Sequence, residues 1–343
     1  MEIIDKVPGR SVDDEAWSKA LKGVRKVISH ANCPDGAVSA LLAKLAFGDS
    51  AEYALITYGS PEHKSLKAEP GLLFCDFTPP RERVQEFVAM DSIVLDHHKG
   101  AEDLIRQFKY HSFADEKRHP GVSGAVLTLH HVLLQQWAVA AAAAGELQPL
   151  VGKLHKLAEA IGIRDTWKKD VGAETWREAC QISAIVSFVG WRELSNFDLL
   201  SSEWLDLVMN KTIGAIMHNR NLHTARSAIE NSFYWVSKKG TRVRIINNYL
   251  ATSDAADFAV GKYESDLVVG FNVFYEESAG PRYAPPVSNI AYTLRTRCGY
   301  DCAALAKAKG GGGHTQAAGF KVESSADPYT TFIRIIDEVE ATY

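Results

Sequence analysis

The chain has 343 residues, 46% hydrophobic and 23% charged, which excludes a disordered, collagen-like or disulfide-stapled protein and points to two domains. Lysine and arginine total 38 against 42 acids, a net charge of −4. That excludes coating of long nucleic acid through bulk charge, but not a small phosphorylated ligand held in a local pocket.

The first hundred residues alternate between strand and helix patterns. The run Val24 to His30 ends at a polar loop, and Val38, Leu41, Leu42 and Leu45 follow at helical spacing up to Gly48. Residues 51–58 and 71–77 read as the second and third strands. Pro79 and Pro80 open a predicted helix through residue 90, and 92–98 is a fourth strand. This alternation predicts a mostly parallel, doubly wound sheet. From about Ser123 to His223 the pattern is helical and includes the alanine run Ala140 to Ala144, read as a helix interior or a helix junction. Strands return at 233–248 and 266–277. A Pro/Gly/Ser-rich loop at 278–286 leads to a strand at 289–297, and a glycine run precedes a final helix at 330–343. The longest apolar run, Trp137 to Ala144, is far below the ~20 residues of a membrane span. The acidic N-terminus has no signal-peptide core, and five scattered cysteines without a CxxC pair suit reduced thiols. A cytoplasmic protein without a membrane partner is expected.

Polar clusters stand just beyond the predicted strands: His30 and Asp35 after the first, Asp76 after the third, Asp96-His97-His98 after the fourth. Taken singly, His30 reads as a structural histidine, Asp35 as an N-cap and Asp76 as a turn residue. Three adjacent ionisable groups after an apolar strand are harder to bury without a counter-ion. Ligands collect beyond the carboxyl ends of strands in open α/β sheets, and carboxylate with imidazole suits manganese or magnesium. Two such ions sharing a carboxylate can activate the water of a phosphoester hydrolysis.

The strings SHANCPDG, LFCDF, IVLDHHK and, much later, GGGGHTQAAGF occur in an order that resembles the DHH phosphoesterases. The closer resemblance is to the subgroup with the DHH-associated C-terminal domain, which holds nano-RNase/pAp phosphatases, RecJ-like nucleases and exopolyphosphatases. It covers nearly the whole chain. It implies an α/β architecture with an N-terminal DHH domain over residues 1–200, a helical connector over 201–231 and a smaller C-terminal α/β domain over 232–343. The active site is implied in the cleft between the domains. Position by position, it implies that His30 and Asp76 bind one Mn2+ ion. Asp35, Asp76, His97 and Asp165 would bind a second, with Asp76 bridging; Mg2+ is the alternative ion. Asp96 is implied to orient His97, and His98 to face the phosphate. Cys33 falls where the family usually presents an aspartate, so a thiolate ligand, completion of the shell by Asn32 or water, a weak first site and a merely packed cysteine all stay open.

The glycine run has its own physics. Gly310 to Gly313 are poor helix and strand formers and read either as a hinge or as a nest of amide groups around an anion. With the resemblance, Gly311, Gly312, Gly313, His314 and Arg295 are implied to bind substrate phosphate, whereas Arg297 reads as an ordinary strand arginine. His130 and His131 read as packing residues, and the tryptophans as core, with stacking open for Trp167. Residues 233–343 carry 12 Lys/Arg and 12 Asp/Glu, so no basic track for a long duplex is expected. The implied substrates are nano-oligonucleotides, pAp or cyclic dinucleotides. Inorganic polyphosphate is the alternative, and a catalytically weak nucleotide-binding homologue is the second alternative.

Overall fold

The structure is a computed structural model and describes residues 6–31, 33–140, 148–248, 251–276, 287–324 and 326–342. Asn32, most of the alanine run and the loop at 278–286 lie outside the described residues. The chain divides into two compact units, Met1–His218 and Asn219–Tyr343.

Unit 1 begins with α1 (Asp14–Lys22), β1 (Lys26–His30), α2 (Pro34–Phe47), β2 (Glu52–Ile56), α3 (Pro61–Lys64) and β3 (Leu72–Cys75). It continues with α4 (Val84–Val88), β4 (Ile93–Asp96), α5 (Glu102–Ile105) and β5 (Tyr110–Phe113). All five strands pair in parallel in the order β2-β1-β3-β4-β5. The order reverses between β1 and β3, which makes that gap the switch point of a doubly wound sheet. Strand residues alternate between two cores. Val27, Leu73, Cys75, Ile93 and Leu95 pack in one with Leu41, Leu127 and Leu154; Ile28, Leu72, Phe74 and Val94 pack in the other with Phe87 and Ile105. A parallel sheet covered on both faces requires this period of two with no polar face.

Two elements differ from expectation. The helix expected from Pro79 is a 3-10 turn at Arg81–Arg83 followed by the five residues of α4, because Arg83 leaves helical geometry at φ −118°, ψ 8° and Asp91 at φ 53° closes the far end. Strand β5 escaped sequence reading because its four residues include a polar His-Ser pair and carry no apolar run.

The rest of unit 1 is helical. Helix α6 (Gly124–Thr128) passes through a π turn at Leu129–Leu133 into α7 (Leu134–Ala140), then come α8 (Gln148–Asp165), α9 (Ala173–Ser195), α10 (Glu203–Val208) and α11 (Lys211–Glu230), which contains the unit boundary. His131 is structural: its Nε2 meets the Pro8 carbonyl at 3.0 Å and Ser112 Oγ at 3.2 Å, and its carbonyl accepts Trp17 Nε1–H at 2.7 Å. Among the described residues no helix is long and apolar enough to cross a membrane.

Unit 2 comprises β6 (Phe233–Val236), β7 (Arg242–Ile246), α12 (Thr252–Tyr263), β8 (Leu267–Glu276), β9 (Val287–Arg295), α13 (Cys302–Ala308), β10 (Gly312–His314), β11 (Ala317–Glu323) and α14 (Pro328–Thr342). Its sheet runs β10-β11-β9-β8-β7-β6, with β7 and β8 parallel and the other pairs antiparallel. Tyr292, Leu294, Ala318 and Phe320 pack on one face with Leu305 of α13 and Phe332 and Ile336 of α14. On the other face Val268 and Ile246 pack against Ala255, Ala256 and Ala259 of α12.

Candidate metal centre

Strands β1, β3 and β4 end side by side and deliver His30, Asp76 and Asp96 to one place. Helix α2 starts immediately after β1. Its N-cap is Cys33, whose Sγ accepts the Gly36 N–H at 3.1 Å, so the cap role open to Asp35 in the sequence is taken by its neighbour. The Asp35 carboxylate instead meets the N-terminus of α6. Its Oδ1 accepts Ser123 Oγ–H at 2.5 Å and Ala125 N–H at 2.9 Å, and its Oδ2 accepts Gly124 N–H at 2.8 Å. Asp76 sits at φ 55°, a left-handed conformation costly for a non-glycine residue, with its N–H anchored on the Leu95 carbonyl at 2.8 Å.

The side chains converge around Asp76. Its Oδ2 lies 3.3 Å from Cys33 Sγ and 3.8 Å from His30 Nδ1, while its Oδ1 lies 3.3 Å from His97 Nε2. His97 Nε2 also lies 3.6 Å from Asp35 Oδ2 and 3.3 Å from Asp165 Oδ2. Besides the cluster Asp76/Asp96/His97/His98, two donor groups result, His30/Cys33/Asp76 and Asp35/His97/Asp165, the atoms of each of the three within 4.8 Å of one another. Asp76 turns one oxygen towards each of the two donor groups. Asp165 comes from the end of α8, far away in sequence.

The Asp96-His98 geometry departs from the implied arrangement. Asp96 Oδ1 accepts the backbone N–H of His97 at 2.7 Å and of His98 at 3.1 Å, and lies 2.6 Å from His98 Nδ1. The ring Asp96 holds is therefore that of His98; His97 it touches through the main chain. His30 stacks on Phe77 at 6.1 Å, and Tyr58 stands edge-on to His30 and His98 at 5.2 and 5.9 Å.

Electrostatics set this cluster apart. Burial, then repulsion from Asp35, pushes the Asp76 carboxyl well above the ordinary carboxylate range; the same causes raise Asp165, where a side chain 31% exposed leaves burial the lesser weight. Burial, then Asp76, raises the Cys33 thiol. Burial with the neighbouring His98 lowers His30 to about 3 and keeps that imidazole neutral. For His98 burial opposes charge, but Asp96 outweighs it and lifts the ring to about 9; burial likewise opposes the Asp96 charge, but His98 wins and holds that carboxyl low. Asp76 Oδ1, Asp96 Oδ2 and His30 Nδ1 are buried without a hydrogen-bond partner. Buried like charges and orphaned acceptors around a neutral imidazole are costly as they stand. A divalent cation offsets both costs, so the donor set fits such an ion.

Sequence reading missed the scaffold beneath the ligands. A Cβ at Gly124 would lie 2.4 Å from Asp76 Cβ and 2.9 Å from Asp35 Oδ2, so only glycine lets α6 approach both carboxylates. The signal was a serine ahead of a small-residue helix start, Ser123-Gly124-Ala125, but nothing in it names a carboxylate partner. Trp167 was open as a stacking residue. It sits at φ 55°, two residues after Asp165, with the Arg164 guanidinium 3.9 Å from its ring centre and the Trp176 ring 5.2 Å away.

In unit 2 the substrate-binding expectations are partly rearranged. The glycine run is no open nest: Gly312–His314 form β10, paired to β11, and the Gly310 and Gly311 N–H groups donate to the carbonyls of Lys307 and Ala306. A Cβ at Gly311 would lie 2.1 Å from the Gly319 carbonyl oxygen and one at Gly313 2.5 Å from that of Ala317, so these two glycines serve close strand packing. Gly312 is exposed and open around its Cα. His314 and Arg295 both stand opposite Ala317, on β10 and β9, which puts them on one face about 10 Å apart across a small residue. Arg295 donates from Nε to Ser253 Oγ at 2.8 Å and from a terminal nitrogen to Thr293 Oγ1 at 3.2 Å and the Leu294 carbonyl at 2.8 Å.

No family model and no curated protein matches this sequence. Solved structures do. A DHH domain described as a member of a family of ribosomal proteins aligns over 98% of this chain and 95% of its own, at 12% identity and TM-score 0.54. RecJ from Thermus thermophilus, in complex with Mn2+, aligns over 96% of this chain at 17% identity and TM-score 0.54. That alignment covers 53% of RecJ, so the chain spans about half its length. The likeness shows the fold: this chain has the α/β architecture of DHH-domain proteins.

Proposed function

We propose that the chain is a divalent-metal-dependent phosphohydrolase acting on short, phosphate-rich substrates. One observation carries the reading: Asp76 presents one buried oxygen to His30 and Cys33 and the other to His97, beside Asp35 and Asp165. His30, Cys33 and Asp76 would hold one ion, and Asp35, Asp76, His97 and Asp165 the other. When bound, such ions polarise a phosphoryl oxygen, neutralise developing charge and lower the pKa of water.

The chain's own groups supply the rest. Asp35 is locked by three donors at the start of α6, so one ligand is placed before anything binds. Asp96 fixes the His98 ring through Nδ1, and we assign to the ring so oriented the role of meeting a phosphate or leaving oxygen as a donor. Arg295 and His314 are the anion contacts we assign to unit 2. Within unit 1, Arg164 stacks on the Trp167 indole beside Asp165 and brings a positive charge next to the donor groups, which suits a phosphate-rich substrate.

A manganese-supplemented panel of linear dinucleotides, pAp, cyclic dinucleotides and inorganic polyphosphate tests this, with Asp76→Ala as control. Turnover of the short nucleotides that disappears in Asp76→Ala is expected. Polyphosphate as the sole substrate would move the reading to the exopolyphosphatase. Binding without turnover would leave a nucleotide-binding relic, and wild-type turnover by Asp76→Ala would remove the metal assignment.

A further inference from the structure

The two donor groups are chemically unlike. Asp35, His97 and Asp165 offer two carboxylates and an imidazole, a set for a hard ion. The other group has sulfur in it. Cys33 Sγ lies 3.3 Å from Asp76 Oδ2, and His30 Nδ1 lies 3.8 Å from that same oxygen, all three atoms within 4.8 Å of one another. The sulfur is held there by the chain: it caps α2 by accepting the Gly36 N–H, and Pro34 fixes the first helical position. Independently of the cysteine, His30 Nδ1 is buried with no hydrogen-bond partner and points at Asp76, which is only 1% exposed. A buried imidazole nitrogen left without a partner beside a carboxylate and a thiol fits a ligand set.

We propose that Cys33 binds as a thiolate and makes His30/Cys33/Asp76 a site for a borderline ion such as zinc or cobalt, beside a hard-ion site at Asp35/His97/Asp165. The inference rests on the paired-ion reading above and deepens it: the centre is a mixed pair. Binding forms a metal–sulfur bond and breaks the S–H bond, and the Cys33 proton leaves to solvent. Nitrogen, sulfur and oxygen together match the tetrahedral preferences of zinc better than the six oxygen-rich positions manganese favours.

Cobalt(II) reports sulfur ligation directly. The whole chain, metal-free and with its thiols reduced, is titrated with Co2+ while near-ultraviolet absorption and proton release are followed. A thiolate-to-cobalt charge-transfer band that saturates at one equivalent is expected. Zinc should displace it, and manganese in like excess should not. Cys33→Ser is the informative variant, since serine retains the N-cap oxygen for Gly36. It should lose the band yet retain the visible cobalt spectrum of the second site. Cys33→Asp should shift zinc-over-manganese preference towards manganese by about tenfold or more. Cobalt bound without the band, or a band that survives in Cys33→Ser, overturns the thiolate assignment while manganese-dependent turnover persists. Failure of any cobalt to bind removes the paired-ion reading along with it.

Discussion

The strand ends of unit 1 and the strand row of unit 2 both gather polar residues, yet they leave them in opposite conditions. Around Asp76 the groups face one another with too few donors: three carboxylates crowd one imidazole, and Asp76 Oδ1, Asp96 Oδ2 and His30 Nδ1 lack partners. On β9, Arg295 is already engaged by Ser253, Thr293 and a carbonyl. A buried site that is unsatisfied by its own chain is incomplete without a ligand. A satisfied one holds together without one. The first should collapse functionally on loss of a single group, and the second should weaken by degrees.

The largest expected effect follows from this. Asp76→Ala should lower turnover by at least on the order of 10³-fold, the scale of removing a preorganised charge-stabilising group. The same variant should cancel the stabilisation that metal gives the wild type. At an ion concentration one hundred times Kd, that stabilisation is about 2.7 kcal/mol, read as the rise in unfolding midpoint on adding manganese. A variant that still gains the full rise would show that Asp76 does not bridge. Gly124→Ala comes next. Its new methyl would press on Asp76 and Asp35 at 2.4 and 2.9 Å, and displacement of ligands by their support costs roughly 10–100-fold in metal affinity or activity. Isothermal metal titration and turnover should fall together while the far-ultraviolet spectrum is retained.

How much of this was legible in sequence depended on the kind of signal. The parallel sheet was, because Val27-Ile28, Leu72 to Cys75 and Ile93 to Leu95 are apolar runs bounded by polar loops. The loops after them carry residues whose convergence follows from topology alone, so His30, Asp35, Asp76 and His97 were placed by strand order. Which atom serves which purpose was not legible. Cys33 rather than Asp35 caps α2, and Asp96 holds His98 rather than His97, because these outcomes depend on a bond or two of backbone direction. The glycine run misled for a related reason. Composition says that glycine permits many conformations, and only the Gly319 and Ala317 carbonyls pressed against Gly311 and Gly313 reveal that close strand packing is the use made of it.

The pH response sharpens the contrast within unit 1. The His98 ring has an ordinary pKa of 6.5 and is lifted to about 9 in the folded chain against burial, chiefly by Asp96. A raised folded value means that the folded state binds the extra proton. The stabilisation is therefore complete below 6.5 and is lost as pH rises through about 9. Metal-free protein should show its unfolding midpoint falling across that window, and Asp96→Asn should flatten the fall. A midpoint unchanged from pH 6.5 to 9 in the wild type would separate the two residues electrostatically, despite their 2.6 Å contact.

The smallest effect is expected in unit 2. Arg295→Lys retains the charge but loses the planar fork. Lysine cannot reproduce the Nε bond to Ser253 Oγ and the terminal-nitrogen bond to Thr293 Oγ1 together. If Arg295 holds a substrate phosphate that does not react, the loss falls equally on ground and transition states. KM should then rise about tenfold with kcat unchanged, a cost near 1.4 kcal/mol. Ser253→Ala provides the counterpart, since it removes one support and leaves the guanidinium in place. Its KM should rise less than that of Arg295→Lys. Should Arg295→Lys lower the unfolding midpoint and leave KM alone, the arginine is a strut of the β9–α12 face. The contrast would then be complete: one region built around missing partners, the other around partners already present.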